Sequence, residues 1–272
     1  MRRIFACLLA LWCFTIFAQD IKDVYYSSKA DDVSRQFCKL DVYNIGESGE
    51  KKPVLVWFHG GGITSGDKRQ LPSPIVAKNY GVVVVSANYR LSPKIKAHQA
   101  IDDAAEAVAW VYNNAEKIGA DKRLIFVCGH SAGGYLAGMV GFSPKYLQGH
   151  GIKNTDLAGL VLLSAQATKH FQVRKDLGDK SSQYLPVIDE LSILGNAGNK
   201  APPLCIIVGD KRLEWKCRVE ENFLLEATVR ALGSCPYTEI FQLQGTNHGT
   251  CAVGFAPIAK SFIKKVQSQI EK

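Results

Sequence analysis

One serine stands in a pattern that could build a nucleophile. Residues 124–128 form an apolar run typical of a buried strand, and residues 129–133 then read GHSAG. A helix pattern of small residues follows at once, over residues 132–140. The G-x-S-x-G spacing predicts a nucleophile elbow, a turn so tight that its flanking residues must be glycine or very small. The Ser131 hydroxyl would then lie over a helix N-terminus, where free N–H groups favour developing negative charge.

A serine hydroxyl is a poor nucleophile unless a base takes its proton and a third group orients that base. In sheets that carry such an elbow, the chain order is serine, acid, histidine. Only His248, among six histidines, follows both the elbow and a later strand–helix–strand pattern, and it lies in GTNHG at residues 245–249. We therefore predict His248 as the base, and we expect His59 and His130 to support backbone instead.

The acid should follow the apolar strand at residues 204–208, where the chain continues as GDKRLE over residues 209–214. Asp210 is nearest the end of that strand. Glu214 is nearer the start of the next helix, and counting back from Gly233 at the end of that helix favours it. Both carboxylates remain candidates for the acid. The one that is not the acid would be solvated or would support the site from outside.

Three glycines follow the first continuous apolar strand, residues 54–58, in the sequence HGGG at residues 59–62. Without side chains, their backbone N–H groups can approach a ligand closely. A merely flexible turn is the alternative. Because an elbow lies downstream, we expect the N–H groups of Gly61, Gly62 and Ala132 to form an oxyanion hole.

The elements that must position these residues alternate along the chain. The apolar patterns predict strands at residues 24–27, 37–43, 54–58, 82–87, 124–128, 160–163, 204–208 and 238–243, and helices at residues 101–115, 132–140, 218–232 and from about 257. Buried strands interleaved with helices predict an α/β fold whose mostly parallel sheet has helices on both faces. Residues 164–200 lose this periodicity, which predicts a binding segment or a lid.

The first 18 residues have the pattern of a signal peptide. Arg2 and Arg3 precede an apolar run over residues 4–17, and Ala18 is a suitable cleavage residue. An uncleaved anchor is the alternative. We expect an exported protein, periplasmic or secreted and without stable membrane insertion after cleavage. Residues 19–272 would form a single domain.

Net charge and cysteine content limit the classes of partner, disulfide and metal site that the chain could have. Without the two arginines of the leader, 31 basic and 25 acidic residues give a net charge of +6. No basic run with interleaved aromatic residues occurs, so we expect no nucleic-acid partner.

Three cysteines, Cys217, Cys235 and Cys251, could allow one disulfide in an oxidising compartment. No C-x-x-C or His/Cys cluster indicates a metal site, and nothing in the sequence fixes the oligomeric state.

Taken together, HGGG at residues 59–62, NYRLSP at 88–93, GHSAGG at 129–134 and the late His248 resemble the α/β-hydrolase superfamily. Within it, the chain is similar to hormone-sensitive-lipase-like and kynurenine-formamidase-like esterases, including bacterial feruloyl and acetyl-xylan esterases. The resemblance covers nearly all of the chain from Val24 onward. It implies an α/β-hydrolase fold with a mostly parallel eight-stranded sheet. It also implies cofactor-free hydrolysis of a carboxylic ester through an acyl-enzyme on Ser131.

The expected substrate is a short-acyl ester, a small molecule or a carbohydrate that carries acetyl or feruloyl groups. Two features depart from the family pattern. The usual acid follows its strand as Gly-x-x-Asp, but that position is Arg212 here, and the helical N-terminal cap of many relatives is missing. Two other functions compete: an arylformamidase-type amidase, which export disfavours, and a non-catalytic binding protein. The second usually lacks the nucleophile or the base, and this chain has both.

Overall fold

The computed structural model describes residues 20–46 and 49–271, so the predicted signal peptide, residues 1–18, lies outside the described residues. Eight strands form in chain order: β1 (Ile21–Tyr25), β2 (Lys39–Tyr43), β3 (Lys52–Phe58), β4 (Val83–Ala87), β5 (Ala120–His130), β6 (Gly159–Leu163), β7 (Leu204–Gly209) and β8 (Thr238–Leu243). The α-helices are α1 (Asp32–Phe37), α2 (Ala100–Asn114), α3 (Ala132–Phe142), α4 (Lys145–Gln148), α5 (Phe171–Asp176), α6 (Arg218–Leu232) and α7 (Phe255–Ile270).

The eight strands form one sheet in the order β1-β2-β4-β3-β5-β6-β7-β8. Strand β2 pairs antiparallel with β1 and with β4, and every other neighbouring pair is parallel. The predicted mostly parallel, eight-stranded sheet is therefore confirmed. Because the carboxyl ends of β3, β5, β6, β7 and β8 meet at one edge, the loops after these strands can build one site there.

Alternate side chains of the inner strands point to opposite faces of the sheet. In β3, Val54, Val56 and Phe58 are buried in the core that α2, α3 and α6 cover. Leu55 and Trp57 are buried in a second core, which α7 covers on the other face. Since both faces are covered, the inner strands can be apolar along their whole length, as their sequences are.

Two stretches contain more structure than their patterns predict. β1 and β2 pair antiparallel as expected of a hairpin, but α1 forms between them, and Asp31 caps its start by accepting from Ser34 N–H. In residues 164–200, α5 forms, and the Lys169 N–H donates to the Val187 carbonyl over 2.8 Å. That segment is therefore bonded within itself, and its role as a lid stays a prediction.

The six cysteines of the described residues are all unpaired. The disulfide considered among Cys217, Cys235 and Cys251 is therefore absent: Cys217 is exposed at the start of α6, Cys235 is half-buried, and Cys251 is buried. Across residues 20–46 and 49–271, the helices are too short or too polar to cross a membrane.

Candidate active site

The elbow forms between β5 and α3. Ser131 has φ +55° and ψ −115°, a backbone conformation that residues other than glycine rarely adopt. Its N–H donates to the Leu163 carbonyl over 2.8 Å. A Cβ at Gly133 would lie 2.0 Å from the Phe58 carbonyl oxygen, and one at Gly129 would lie 2.4 Å from the Gly133 carbonyl carbon. These contacts explain physically why the turn requires glycine on both sides of the serine.

The predicted base, His248, is hydrogen-bonded to Glu214, one of the two candidate acids. His248 Nδ1 donates to Glu214 Oε1 over 2.7 Å, and the Trp215 N–H donates to the same oxygen over 2.8 Å. The other oxygen, Oε2, accepts from the Ser164 hydroxyl at 2.8 Å and from the Gly209 N–H at 3.2 Å. Burial by itself would raise the pKa of Glu214, but the His248 hydrogen bond and the other donors lower it to about 2. The carboxylate is therefore ionised at neutral pH.

Asp210, the other candidate acid, faces away from His248. Its carboxylate accepts from the Arg212 guanidinium at 2.7 Å and from the Gly245 N–H at 2.9 Å, and the Arg212 hydrogen bond lowers its pKa. The Glu214 N–H donates to the Asp210 carbonyl over 2.8 Å, which closes one turn and brings the Glu214 side chain back to the end of β7. The carboxylate that contacts His248 therefore lies two residues after the position that Arg212 occupies.

His130 joins the elbow to the loop that carries His248. Its Nε2 donates to the His248 carbonyl over 2.8 Å, and the two ring centroids are 4.8 Å apart. Burial, and then the charge of His248, lower the pKa of His130 to about 4, so it is neutral at pH 7. Within the described residues, no hydrogen bond links the Ser131 hydroxyl to His248. In structures without substrate, such catalytic hydrogen bonds are often long.

His59 supports the glycine loop. Its ring stacks on Tyr89 with 4.3 Å between centroids, and Nδ1 donates to the Gly60 carbonyl over 2.7 Å. Burial lowers the pKa of His59 to about 4. The Tyr89 hydroxyl in turn donates to the His59 carbonyl over 2.7 Å. The neutral His59 therefore fixes backbone geometry, in agreement with the expectation from sequence.

Among the described residues, the three N–H groups expected to hold an oxyanion have no hydrogen-bond acceptor. Gly61 and Gly62 have φ +105° and +64°, and in the described loops their N–H groups donate to no carbonyl. Ala132 is the first residue of α3, where the helix offers its N–H no partner. A Cβ at Gly60 would lie 3.6 Å from Ser131 Cβ, so this loop lies directly against the elbow.

A cleft of about 270 Å³ lies next to His248 and the glycine loop, and apolar side chains form most of its wall. Trp215 borders it and meets the His248 ring edge-on, with 5.4 Å between centroids. Phe171 borders it as well, and a Cβ at Gly62 would lie 3.2 Å from Phe171 Cζ. The cleft therefore adjoins both the base and the glycine loop. The further apolar lining residues are Tyr184, Leu185, Pro186, Ile188 and Leu224.

Three residues of the site had no clear signal in the sequence. Ser164 follows β6 directly, has φ +46° and holds Glu214, but a serine after a strand is too common to single out. Trp215 and Phe171 become recognisable only through their positions beside the base and the glycine loop. In the two described ranges, no group of three or more His, Cys, Asp or Glu side chains could hold a metal ion.

Residues 40–212 match the model of the BD-FAE family. Among curated relatives, esterase LipI of Mycobacterium tuberculosis is 39% identical over 90 residues, which are 32% of this chain and 28% of that protein. Mouse carboxylesterase 3B is 29% identical over 123 residues, 41% of this chain and 22% of that protein. The chain thus spans about a quarter of the length of these relatives.

Solved structures share the fold over nearly the whole chain. A propionate-bound esterase from Thermogutta terrifontis aligns with a TM-score of 0.72 and 21% identity, over 90% of this chain and 93% of that one. A truncated carbohydrate esterase from gut microbiota aligns with a TM-score of 0.73 and 16% identity, over 92% and 97%. At these identities, the likeness establishes the α/β-hydrolase fold.

Proposed function

This chain belongs to the BD-FAE family, and on that premise we propose that it hydrolyses carboxylic esters with Ser131 as the nucleophile. The observation that carries the proposal is the 2.7 Å hydrogen bond from His248 Nδ1 to an ionised Glu214, on a loop bonded to the elbow through His130. Relatives named esterase and carboxylesterase support the same reaction.

In the acylation step, Ser131 Oγ attacks the ester carbonyl carbon while His248 Nε2 takes the hydroxyl proton. Glu214 holds the Nδ1–H tautomer and stabilises the imidazolium that forms. The carbonyl π electrons move onto oxygen, and the N–H groups of Gly61, Gly62 and Ala132 bind that oxyanion. When the tetrahedral intermediate collapses, the carbon–oxygen bond to the alcohol breaks, and His248 returns its proton to the leaving alkoxide.

In the deacylation step, water replaces the alcohol. His248 Nε2 takes a proton from the water, whose oxygen attacks the acyl carbon on Ser131. Collapse of the second tetrahedral intermediate releases the carboxylic acid and returns the proton to Ser131 Oγ. The residues and the oxyanion site are the same in both halves of the reaction, so no further group is required.

The proposed substrate is a short-acyl ester, with acetyl or feruloyl groups on carbohydrate as the specific class. A gut carbohydrate esterase with the same fold supports the carbohydrate, and structures of a similar esterase with propionate and butyrate support a short acyl group. We also propose that the protein acts outside the cytoplasm, on the basis of the leader pattern at residues 1–18.

A fluorophosphonate probe tests the nucleophile. It should label the wild-type protein and Ser268→Ala, which changes an exposed serine of α7, but not Ser131→Ala. Hydrolysis of 4-nitrophenyl acetate should fall by several orders of magnitude in Ser131→Ala only, because no other described residue replaces the elbow hydroxyl. Labelling of Ser131→Ala at the wild-type rate would refute the assignment.

Esters with acyl chains of two to twelve carbons test the substrate class. We expect kcat/KM to be highest from acetyl to butyryl, because a methylene that fits an apolar pocket contributes only about 0.8 kcal/mol and one that does not fit weakens binding. Acetylated and feruloylated oligosaccharides belong in the same series, with an N-formyl aryl amide as comparison. A maximum at eight carbons or more, or a preference for the amide, would contradict the proposal.

A further inference from the structure

Arg218 is a buried cation with free hydrogen-bond donors. It is the first residue of α6, is only 4% exposed and lines the cleft that Trp215 and Phe171 border. Its Nε and Nη1 atoms have no hydrogen-bond partner within the described residues. Glu221 Oε1 lies 3.5 Å from Nε, close enough for an ion pair but not aligned for a hydrogen bond.

The position of Arg218 is unfavourable for the free protein. A cation at the N-terminus of a helix opposes the helix dipole, and a buried guanidinium without hydrogen bonds loses its hydration without replacement. Helix stability therefore does not explain this residue. Its guanidinium carbon lies 5.9 Å from the Trp215 ring centroid, and the same ring contacts His248. Arg218 and His248 therefore both lie against Trp215, which borders the cleft.

Two carboxylates already lie near Arg218, whereas its Nε and Nη1 atoms have no acceptor within the described residues. Burial lowers the pKa of the Arg218 guanidinium, and the Glu221 and Glu214 carboxylates offset that effect only in part. Glu221 Oε2 is held by Thr168, which donates its N–H at 3.1 Å and its hydroxyl at 2.7 Å. A third carboxylate would meet these two negative charges. What the site lacks is an uncharged acceptor atom.

A second free donor lies nearby. His170 Nδ1 accepts from the Gln172 N–H at 3.2 Å, so Nε2 carries the proton, and Nε2 is buried without a partner. The His170 ring stacks on Phe171, 4.4 Å between centroids, behind the aromatic wall of the cleft. Phe171 and Trp215 contact each other, with 5.8 Å between ring centroids, and form one aromatic wall on which a planar group can pack.

We propose that Arg218 is a specificity-determining residue, which donates hydrogen bonds to an uncharged oxygen on a planar part of the substrate packed against Trp215 and Phe171. The inference rests on the proposed function only for the statement that the bound group belongs to the ester. The binding itself can be measured with compounds that are not esters. A hydroxyl, ether or carbonyl oxygen has the required chemistry, since each accepts without adding charge.

Calorimetric titration with three related amides tests this assignment: phenylacetamide, its 4-methoxy derivative and its 4-carboxy derivative. The wild-type protein should bind the methoxy compound about tenfold more tightly than the parent, because a hydrogen bond from a charged donor is stronger than a neutral one. In Arg218→Met, the ratio should fall to about one. Arg230→Met changes an arginine on the exposed side of the same helix and should keep the wild-type ratio.

A wild-type ratio near one overturns the inference, and so does tighter binding of the 4-carboxy compound than of the 4-methoxy compound. Circular dichroism checks that Arg218→Met is folded. If it is not, the wild-type ratio decides, together with Arg218→Lys, which keeps the charge and should lose most of the ratio. Because the amides bypass hydrolysis, a failed nucleophile assignment and a failed Arg218 assignment give different results.

Discussion

Replacing Glu214 by glutamine tests the centre of the proposed mechanism. The substitution keeps the shape of the side chain but puts an amide where four donors now meet a carboxylate: His248 Nδ1, the Trp215 N–H, the Ser164 hydroxyl and the Gly209 N–H. An amide offers one acceptor oxygen, and its NH₂ group faces donors. His248 would then be held in the wrong tautomer or released.

The size of the effect follows from two contributions. An acid that orients the base accounts for about 10⁴ in turnover, so kcat of Glu214→Gln should fall by about that factor. The pKa of this carboxyl falls from 4.5 to about 2 on folding, which contributes about 3 kcal/mol to the free energy of unfolding at pH 7. Because the folded pKa is the lower one, this stability is present above pH 4.5 and is lost as the pH falls towards 2.

The assay combines kcat on 4-nitrophenyl acetate at pH 7 with urea unfolding of wild type and variant at several pH values. Asp210→Asn is the matched control, because Asp210 lies four residues earlier and bonds Arg212 instead of His248. Its kcat should stay within about tenfold of wild type. A larger loss in Asp210→Asn than in Glu214→Gln would refute the assignment of the acid, and two mild losses would exclude both residues.

Two other substitutions test the frame around the site. Ser164→Ala removes a donor from Glu214 and a group 3.0 Å from His248 Nδ1, so kcat should fall about tenfold with KM unchanged, and an unchanged kcat would contradict this role. Gly133→Ala should lower the free energy of unfolding by about 3 kcal/mol or more, because its Cβ would lie 2.0 Å from a carbonyl oxygen. Gly198→Ala, with open space around its Cβ, should change urea unfolding by less than about 0.5 kcal/mol, and equal effects would refute the steric argument.

Local sterics and chain order explain which features could be predicted from sequence. The elbow requires glycine at fixed positions around Ser131, so a five-residue pattern with a strand before it and a helix after it locates the turn. The strands of the inner sheet are apolar on both faces, which separates them from amphipathic helices. The prediction of His248 as the base follows from chain order alone, because it is the histidine that comes after the last predicted strand.

The choice between the two acids depended on contacts that sequence does not show. The Asp210 carboxylate accepts hydrogen bonds from the Gly245 N–H, 35 residues later in the chain, and from Arg212, and so does not contact His248. The turn between Asp210 and Glu214 then returns the second carboxylate to the strand end. Arg218 was equally hidden, since a charged residue at the start of a helix is usually solvated, and only the packing shows it buried.

The hydrogen bond from His130 to the His248 carbonyl affects how the molecule opens and unfolds. The loop after β8 cannot open without releasing the half-buried ring of His130 beside the elbow. We therefore expect fluctuations of the loop that carries His248 to include the turn at Ser131, so that the two segments open together. On mild heating, hydrogen exchange in the two segments should then rise in parallel with the loss of activity.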